Sequence, residues 1–215
     1  MPDATPPGAV PSPAPGPQRR PLARGSSDTV VRLRDGSRVR IRPVRADDRE
    51  RLGAFVHALS RDALELRFFA PVRADEVVDR ILGTRPVAGR VSLLMETMDA
   101  APRIVIAQGE SVRDPPDPSR AEVAFLVADD RQGQGAATLL LWDLARRARA
   151  LGVRRFYAWV LRENEAMLDV FRGAGFPSDF VWNGTEGRVT LDVSRPPATD
   201  TAHRGPPPAW TRSLP

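Results

Sequence analysis

Between a strand-like apolar run and a long helical pattern, the chain reads Leu126-Val127-Ala128-Asp129-Asp130-Arg131-Gln132-Gly133-Gln134-Gly135-Ala136-Ala137. Glycines in such a loop let the backbone turn so that several N–H groups converge at the start of the helix, where they bind an anion such as a pyrophosphate. An ordinary strand-to-helix turn has the same composition. The loop by itself therefore leaves a phosphate site and a simple connection as equal alternatives.

A dinucleotide-binding fold is one alternative for this loop. That fold uses the pattern G-x-G-x-x-G, and Gly133 and Gly135 occupy the first two glycine positions, but Thr138 stands at the third. It also places its loop within successive parallel strand–helix units. Here the loop follows three strand-like segments in succession, and only one further helical crossover comes after it. The sequence therefore argues against a dinucleotide site.

The segments on either side of the loop predict a mixed sheet. A hairpin with an Asp35-Gly36 turn comes first, and its apolar residues from Val31 to Ile41 alternate with arginines from Arg32 to Arg42, which predicts one buried and one solvated face. Further strands are predicted at 91–98, 104–112, 122–127, 156–161, 180–183 and 188–193. Helices are predicted at 61–69, 74–82, 137–151 and 165–174, together with one that follows an N-cap at Asp47. This order predicts an α/β (α+β) fold with a mixed, mostly antiparallel central sheet and helices on both faces.

Proline marks the edges of the predicted domain. Of the 22 prolines, eight lie in residues 1–28 and six in 195–215, and neither segment has enough apolar residues to offset the entropy of ordering. We therefore expect two disordered Pro-rich tails, 1–28 and 195–215, around a single domain at 29–194.

Composition excludes several kinds of chemistry. The 215 residues contain no cysteine, and the only histidines are His57 and His203, so Cys-based and His-ligated metal sites are excluded and no metal is expected. All 32 basic residues are arginines, which removes the lysine of a phosphate-binding P-loop and of a Schiff base. Residues 29–194 hold 26 arginines and 24 acidic residues, a balance that argues against a nucleic-acid partner. The N-terminus carries no signal-peptide pattern and no segment has membrane-spanning length, so we expect a cytoplasmic protein without a membrane partner.

The loop resembles the acyl-coenzyme-A signature of the GNAT superfamily of N-acetyltransferases, Q/R-x-x-G-x-G/A, with Gln132, Gly135 and Ala137 in register. Two more segments look like the same family: the opening Ile41-Arg-Pro-Val-Arg-Ala-Asp-Asp48 and the later Asn164-Glu-Ala-Met-Leu-Asp-Val-Phe-Arg-Gly-Ala-Gly-Phe176. The resemblance covers about residues 30–194. A narrower resemblance, to the catalytic domains of bacterial protein-lysine acetyltransferases, rests on Leu33-Arg-Asp-Gly36, Leu66-Arg-Phe-Phe69 and Ala121-Glu-Val-Ala-Phe125.

The resemblance implies a GNAT-like sheet and the transfer of an acetyl group from acetyl-CoA to a primary amine, either a protein lysine or a small molecule. It implies Glu122 as general base and a backbone N–H near Leu126 or Val127 as the donor to the carbonyl oxygen. Glu96 and Glu110, on the preceding predicted strands, are weaker candidates for the base. The implied coenzyme-binding residues are Leu126, Val127, Gln132, Gly133, Gln134, Gly135, Ala136, Ala137 and Asn164. Asn164 is also a natural helix N-cap, and one residue can serve both purposes.

One residue departs from the family pattern. Many of these enzymes place a tyrosine seven residues after the helix asparagine, where it protonates the departing thiolate, and this chain has Phe171 there. A non-catalytic acyl-CoA-binding module is therefore an alternative interpretation, and Glu122 is the residue that argues against it.

Overall fold

The computed structural model describes residues 28–83 and 89–198. The expected tails, 1–28 and 195–215, lie outside the described residues except for Asp28 and residues 195–198. The strands are β1 (Thr29–Arg32), β2 (Arg38–Pro43), β3 (Arg90–Thr97), β4 (Val105–Arg113), β5 (Arg120–Val127), β6 (Arg155–Leu161), β7 (Ser178–Asn183) and β8 (Glu186–Asp192). The α-helices are α1 (Arg49–His57), α2 (Arg61–Phe68), α3 (Ala74–Leu82), α4 (Ala136–Ala150) and α5 (Glu165–Gly173). In the described part of the chain no helix is long and apolar enough to cross a membrane.

One sheet of eight strands runs in the order β1-β2-β3-β4-β5-β6-β8-β7. Every neighbouring pair is antiparallel except β5 and β6, which are parallel because α4 carries the chain between them. The prediction of a mixed, mostly antiparallel sheet is confirmed.

Helices cover both faces of the sheet, as the alternation of side chains along the strands requires. On β5, Phe125 packs with α4 and α5, whereas its neighbour Leu126 packs against the opposite face with α1 and α3. Helix α4 lies against the middle of the sheet and buries Leu140 and Leu144 completely. The long helix is therefore anchored over the strand that precedes it, which fixes the loop between them.

The first hairpin departs from its predicted pattern at one residue. Its apolar residues are buried as expected and Arg32 is exposed, but Arg42 is fully buried. The guanidinium of Arg42 bonds the carboxylates of Asp48 and Glu96, both also fully buried, and these charges make its burial possible. We call these three residues the Arg42 cluster.

The predicted N-cap at Asp47 is also wrong. A 3-10 turn over Ala46–Asp48 precedes α1, and the next residue, Asp48, occupies the N-cap position. The Asp48 carboxylate is directed inward, where it accepts from the backbone N–H of Arg45 as well as from Arg42. Its charge belongs to the Arg42 cluster, so it caps no helical N–H.

Candidate active site

A cleft opens where β5 and β6 separate. The two strands pair only at Arg120–Arg155, Ala121–Phe156 and Glu122–Tyr157, and beyond these pairs they diverge. The cleft has a volume of about 690 Å³ and extends from α2 at one end to the glycine loop and the start of α5 at the other. The gap in the sheet places backbone groups of β5 beside a space large enough for a ligand.

The glycine loop closes one end of this cleft. Gly133 and Gly135 have φ angles of 72° and 91°, a left-handed conformation that side-chain-bearing residues rarely adopt, and Gly135 directly precedes α4. The first helical hydrogen bond runs from the N–H of Leu139 to the carbonyl of Gly135, so the N–H groups of the three residues before Leu139 have no partner within the helix. The positive end of the helix dipole reinforces them. This cradle suits the pyrophosphate of a coenzyme.

The backbone of β5 distinguishes two of the predicted coenzyme-binding residues. The N–H of Ala128 donates to the carbonyl of Ile106 on β4, so the alternation of strand residues turns the N–H of Leu126 toward β4 and that of Val127 into the gap. The side chain of Leu126 is buried on the helix α1 and α3 side. Of the two, Val127 offers its backbone N–H to a ligand.

Eight of the nine predicted coenzyme-binding residues line the cleft. The exception in the described structure is Gln134, whose amide nitrogen lies 3.3 Å from the carbonyl of Asp130. Asn164 lines the cleft and also caps α5, because its side-chain oxygen accepts from the N–H of Met167 at 3.1 Å. Its predicted role as an N-cap is therefore confirmed.

The three candidate carboxylates have different surroundings. Glu96 is fully buried within the Arg42 cluster, and Glu110 accepts from Arg67 at 2.8 Å and also from Arg90. Glu122 is exposed, lines the cleft, and has no ion-pair partner among the described residues. Glu122 is thus the one of the three that can meet an incoming amine.

A phenylalanine, Phe171, occupies the position where the family pattern has a tyrosine. Phe171 is buried, lines the cleft, and packs against Phe125 with a distance of 6.5 Å between ring centroids. The chain's only tyrosine, Tyr157, lies opposite Glu122 in the strand register. Burial, and next the charge of Glu122, raise the pKa of Tyr157 above that of an ordinary tyrosine.

Sequence reasoning overlooked the role of α2 in the cleft. Arg67 lines the cleft, its guanidinium lies 4.7 Å from the centroid of the Phe68 ring, and burial lowers its pKa. Phe69 ends α2 with a φ angle of 61°, unusual for so bulky a residue, and it too lines the cleft. The segment Leu66-Arg-Phe-Phe69 was the available signal, but a short helical pattern gave no indication of which surface it would face.

A second groove, of about 540 Å³, continues from the cleft past Leu66, Phe69 and Glu186. Its lining includes four carboxylates, all exposed: Asp62, Glu65, Glu163 and Glu186. Within residues 28–83 and 89–198 none of the four takes part in an ion pair. We call this the acidic groove.

Comparison with known proteins places the chain among acetyltransferases. The sequence model of the acetyltransferase (GNAT) family matches residues 60–176. The acetyltransferase Pat of Mycolicibacterium smegmatis is 32% identical over 180 residues, which cover 83% of this chain and 52% of that protein. This chain therefore spans about half the length of that relative.

Solved structures agree in fold. The GNAT domain of S. lividans PAT is 35% identical and superposes with a TM-score of 0.66. The match covers 77% of this chain and 96% of that domain. A cAMP-binding acyltransferase from Mycobacterium smegmatis is 29% identical with a TM-score of 0.54, and 84% of this chain matches 51% of it.

Proposed function

Because the chain belongs to the GNAT family of N-acetyltransferases, we propose that it transfers the acetyl group of acetyl-CoA to a lysine side chain of a protein. The observation that carries this proposal is the exposed carboxylate of Glu122, which stands in the cleft where β5 and β6 begin to separate. The proposed catalytic domain comprises residues 29–194.

The proposed coenzyme site is the end of the cleft formed by the glycine loop. The free N–H groups at the start of α4 bind the pyrophosphate, and the exposed backbone of β5 holds the extended part of the coenzyme in the gap. Bound there, acetyl-CoA supplies a thioester whose carbon forms a bond to nitrogen while its bond to sulfur breaks. The N–H of Val127 donates to the carbonyl oxygen as negative charge develops on it.

Glu122 takes the proton from the amine. A lysine amine has a pKa of about 10.4, so only a small fraction of it is neutral at pH 7. The reaction therefore requires that a proton is removed from the amine. An accessible carboxylate can accept that proton directly or through a water molecule. The departing thiolate needs less help, because a thiol has a pKa of about 8.5. Phe171 in place of a tyrosine is therefore compatible with turnover.

The acidic groove supports a cationic acceptor. Its four unpaired carboxylates adjoin the α2 end of the cleft and attract a protonated amine and neighbouring basic groups. The groove is also larger than one side chain needs, which favours a segment of protein over a small amine. The segments that resemble protein-lysine acetyltransferases point the same way.

A Glu122→Gln variant tests the base. Glutamine keeps the size of the side chain but accepts no proton, so the rate near pH 7 should fall by roughly 10²- to 10⁴-fold while acetyl-CoA affinity stays unchanged. The defect should shrink as pH rises and the acceptor amine deprotonates by itself. The measurement is a pH–rate profile on a lysine peptide, with a small-amine panel in parallel and calorimetry for coenzyme binding.

The matched control is Asp179→Asn, which neutralises an exposed strand carboxylate on β7 outside the cleft. Its rate should equal that of the unaltered protein. Equal rates for Glu122→Gln near pH 7 would remove Glu122 from the mechanism. Coenzyme binding without turnover on any acceptor would instead support the non-catalytic acyl-CoA-binding module.

A further inference from the structure

The turn of the first hairpin holds the glycine loop. The backbone N–H of Arg34 donates to the carbonyl of Gln134 at 3.0 Å, and its guanidinium Nη1 donates to the carbonyl of Gly133 at 2.9 Å. The adjacent Asp35 lies 3.8 Å from Arg131, at the other side of the loop. These contacts join parts of the chain about a hundred residues apart, so the hairpin turn is a wall of the proposed phosphate cradle.

The charge of Arg34 is not neutralised locally. Its side chain is exposed, lines the cleft, and has no acidic partner within ion-pair distance in the described part of the chain. Arg131, the arginine of the glycine loop itself, differs because it is paired with Asp130 at 3.4 Å as well as with Asp35. A guanidinium with one donor used on a carbonyl keeps its other donors for a ligand.

The position of the Arg34 guanidinium determines which phosphate group of the coenzyme it can contact. The Cγ and Nε atoms of Arg34 lie 3.8 Å from the point where a Cβ on Gly135 would stand, directly before the free N–H groups of α4. A phosphate that accepts from those N–H groups lies within reach of the guanidinium. Its planar fork matches two phosphate oxygens.

We propose that Arg34 is a coenzyme-binding residue that contacts the pyrophosphate, with its bond to Gly133 orienting the guanidinium. This inference rests on the proposed function, since it takes the glycine loop to be the coenzyme site. The 3′-phosphate of the coenzyme is the other phosphate that an arginine could meet. Proximity to the start of α4 favours the pyrophosphate.

The test is an Arg34→Gln variant of the full chain, titrated calorimetrically with coenzyme A and with dephospho-coenzyme A, which lacks only the 3′-phosphate. Loss of a charge-assisted contact should weaken both ligands by about tenfold to a hundredfold at low salt. Because the contact is ionic, the difference should narrow as salt is raised. The control is Arg32→Gln: Arg32 is exposed on the same hairpin and donates to the carbonyl of Gly36 at 2.8 Å, and its loss should change neither affinity.

Three results would overturn the inference. The first is unchanged affinity of Arg34→Gln for both ligands. The second is a loss confined to coenzyme A, which would assign Arg34 to the 3′-phosphate. The third is a salt-independent loss with a lowered thermal midpoint, which would make Arg34 a support of the loop only. If the unaltered protein binds neither ligand, the proposed function fails as well, so the two failures are distinguishable.

Discussion

Glu96→Gln should destabilise the protein severely although Glu96 lies outside the cleft. The change removes one of the two carboxylates that neutralise the buried guanidinium of Arg42. Glu96 also accepts from Arg51 at 2.7 Å and from Arg40 at 2.8 Å. Glutamine would therefore leave Arg42 and Arg51 sharing the single carboxylate of Asp48, while Arg40 would keep its other partner, Asp28. Removing one partner from a buried ion pair costs about 3–5 kcal/mol because the remaining charge cannot return to water.

For a domain of this size, that loss lowers the thermal midpoint by roughly 6 to 20 °C. Thermal unfolding followed by circular dichroism at pH 7 measures it. The control is Asp79→Asn, which breaks the exposed ion pair with Arg49 and should cost less than about 1 kcal/mol. If the thermal midpoint of Glu96→Gln falls no further below that of the unaltered protein than the midpoint of Asp79→Asn does, the prediction is wrong. The Arg42 cluster would then contribute no more to stability than a surface ion pair.

The pH dependence gives a second check on the same cluster. Burial has the largest single effect on Asp48 and Glu96 and would raise their pKa values, but the hydrogen bonds and positive charges of Arg42 and its neighbours together outweigh it and hold both pKa values below their usual range. A carboxylate with a depressed folded pKa stabilises the protein above its unfolded pKa, about 4, and loses this effect as pH falls through the folded value. The stability of the unaltered protein should therefore fall in acid. The difference from Glu96→Gln should narrow below about pH 4.

Two further substitutions test the ends of the cleft. Gly135→Asp should weaken acetyl-CoA binding in calorimetry much more than Gly135→Ala, because both residues strain a backbone with a φ of 91° but only aspartate adds a negative charge at the phosphate cradle; equal losses would mean that strain alone acts. Phe69→Gly should raise the KM for the acceptor, because an aromatic ring that lines the cleft is lost. The thermal midpoint should stay within a few degrees of that of the unaltered protein, because glycine relieves the left-handed strain at the end of α2. An unchanged KM would exclude Phe69 from acceptor binding.

Features encoded in neighbouring residues could be predicted from the sequence. The strand, loop and helix at 126–137 follow from local apolar spacing and two glycines, and the N-cap at Asn164 follows from its position before a helical pattern. Features that join distant segments could not be predicted in this way. The burial of Arg42 depends on Glu96, 54 residues away, and period-two alternation predicted a solvated arginine.

The same distinction applies to the candidate site. Apart from the family resemblance, Glu96, Glu110 and Glu122 are all acidic residues on predicted strands. The structure separates them because arginines from other elements bond the first two and leave Glu122 exposed. The separation of β5 from β6 likewise involves two strands that α4 separates in the sequence, so no local pattern could indicate it. The hydrogen bond from Arg34 to Gly133 spans 99 residues, so no local pattern revealed it.

The acidic groove has a consequence for the end of the proposed reaction. A lysine amine arrives protonated, with a positive charge that the carboxylates of the groove attract, but the amide made from it is neutral. The modified side chain therefore loses its Coulombic attraction to the groove at the moment the acetyl group is attached, while the carboxylates remain free to attract the next cation. Glu186 lines both the cleft and the acidic groove, so the proposed substrate and product would differ by one full charge next to this carboxylate. The reaction thus weakens the binding of its own product.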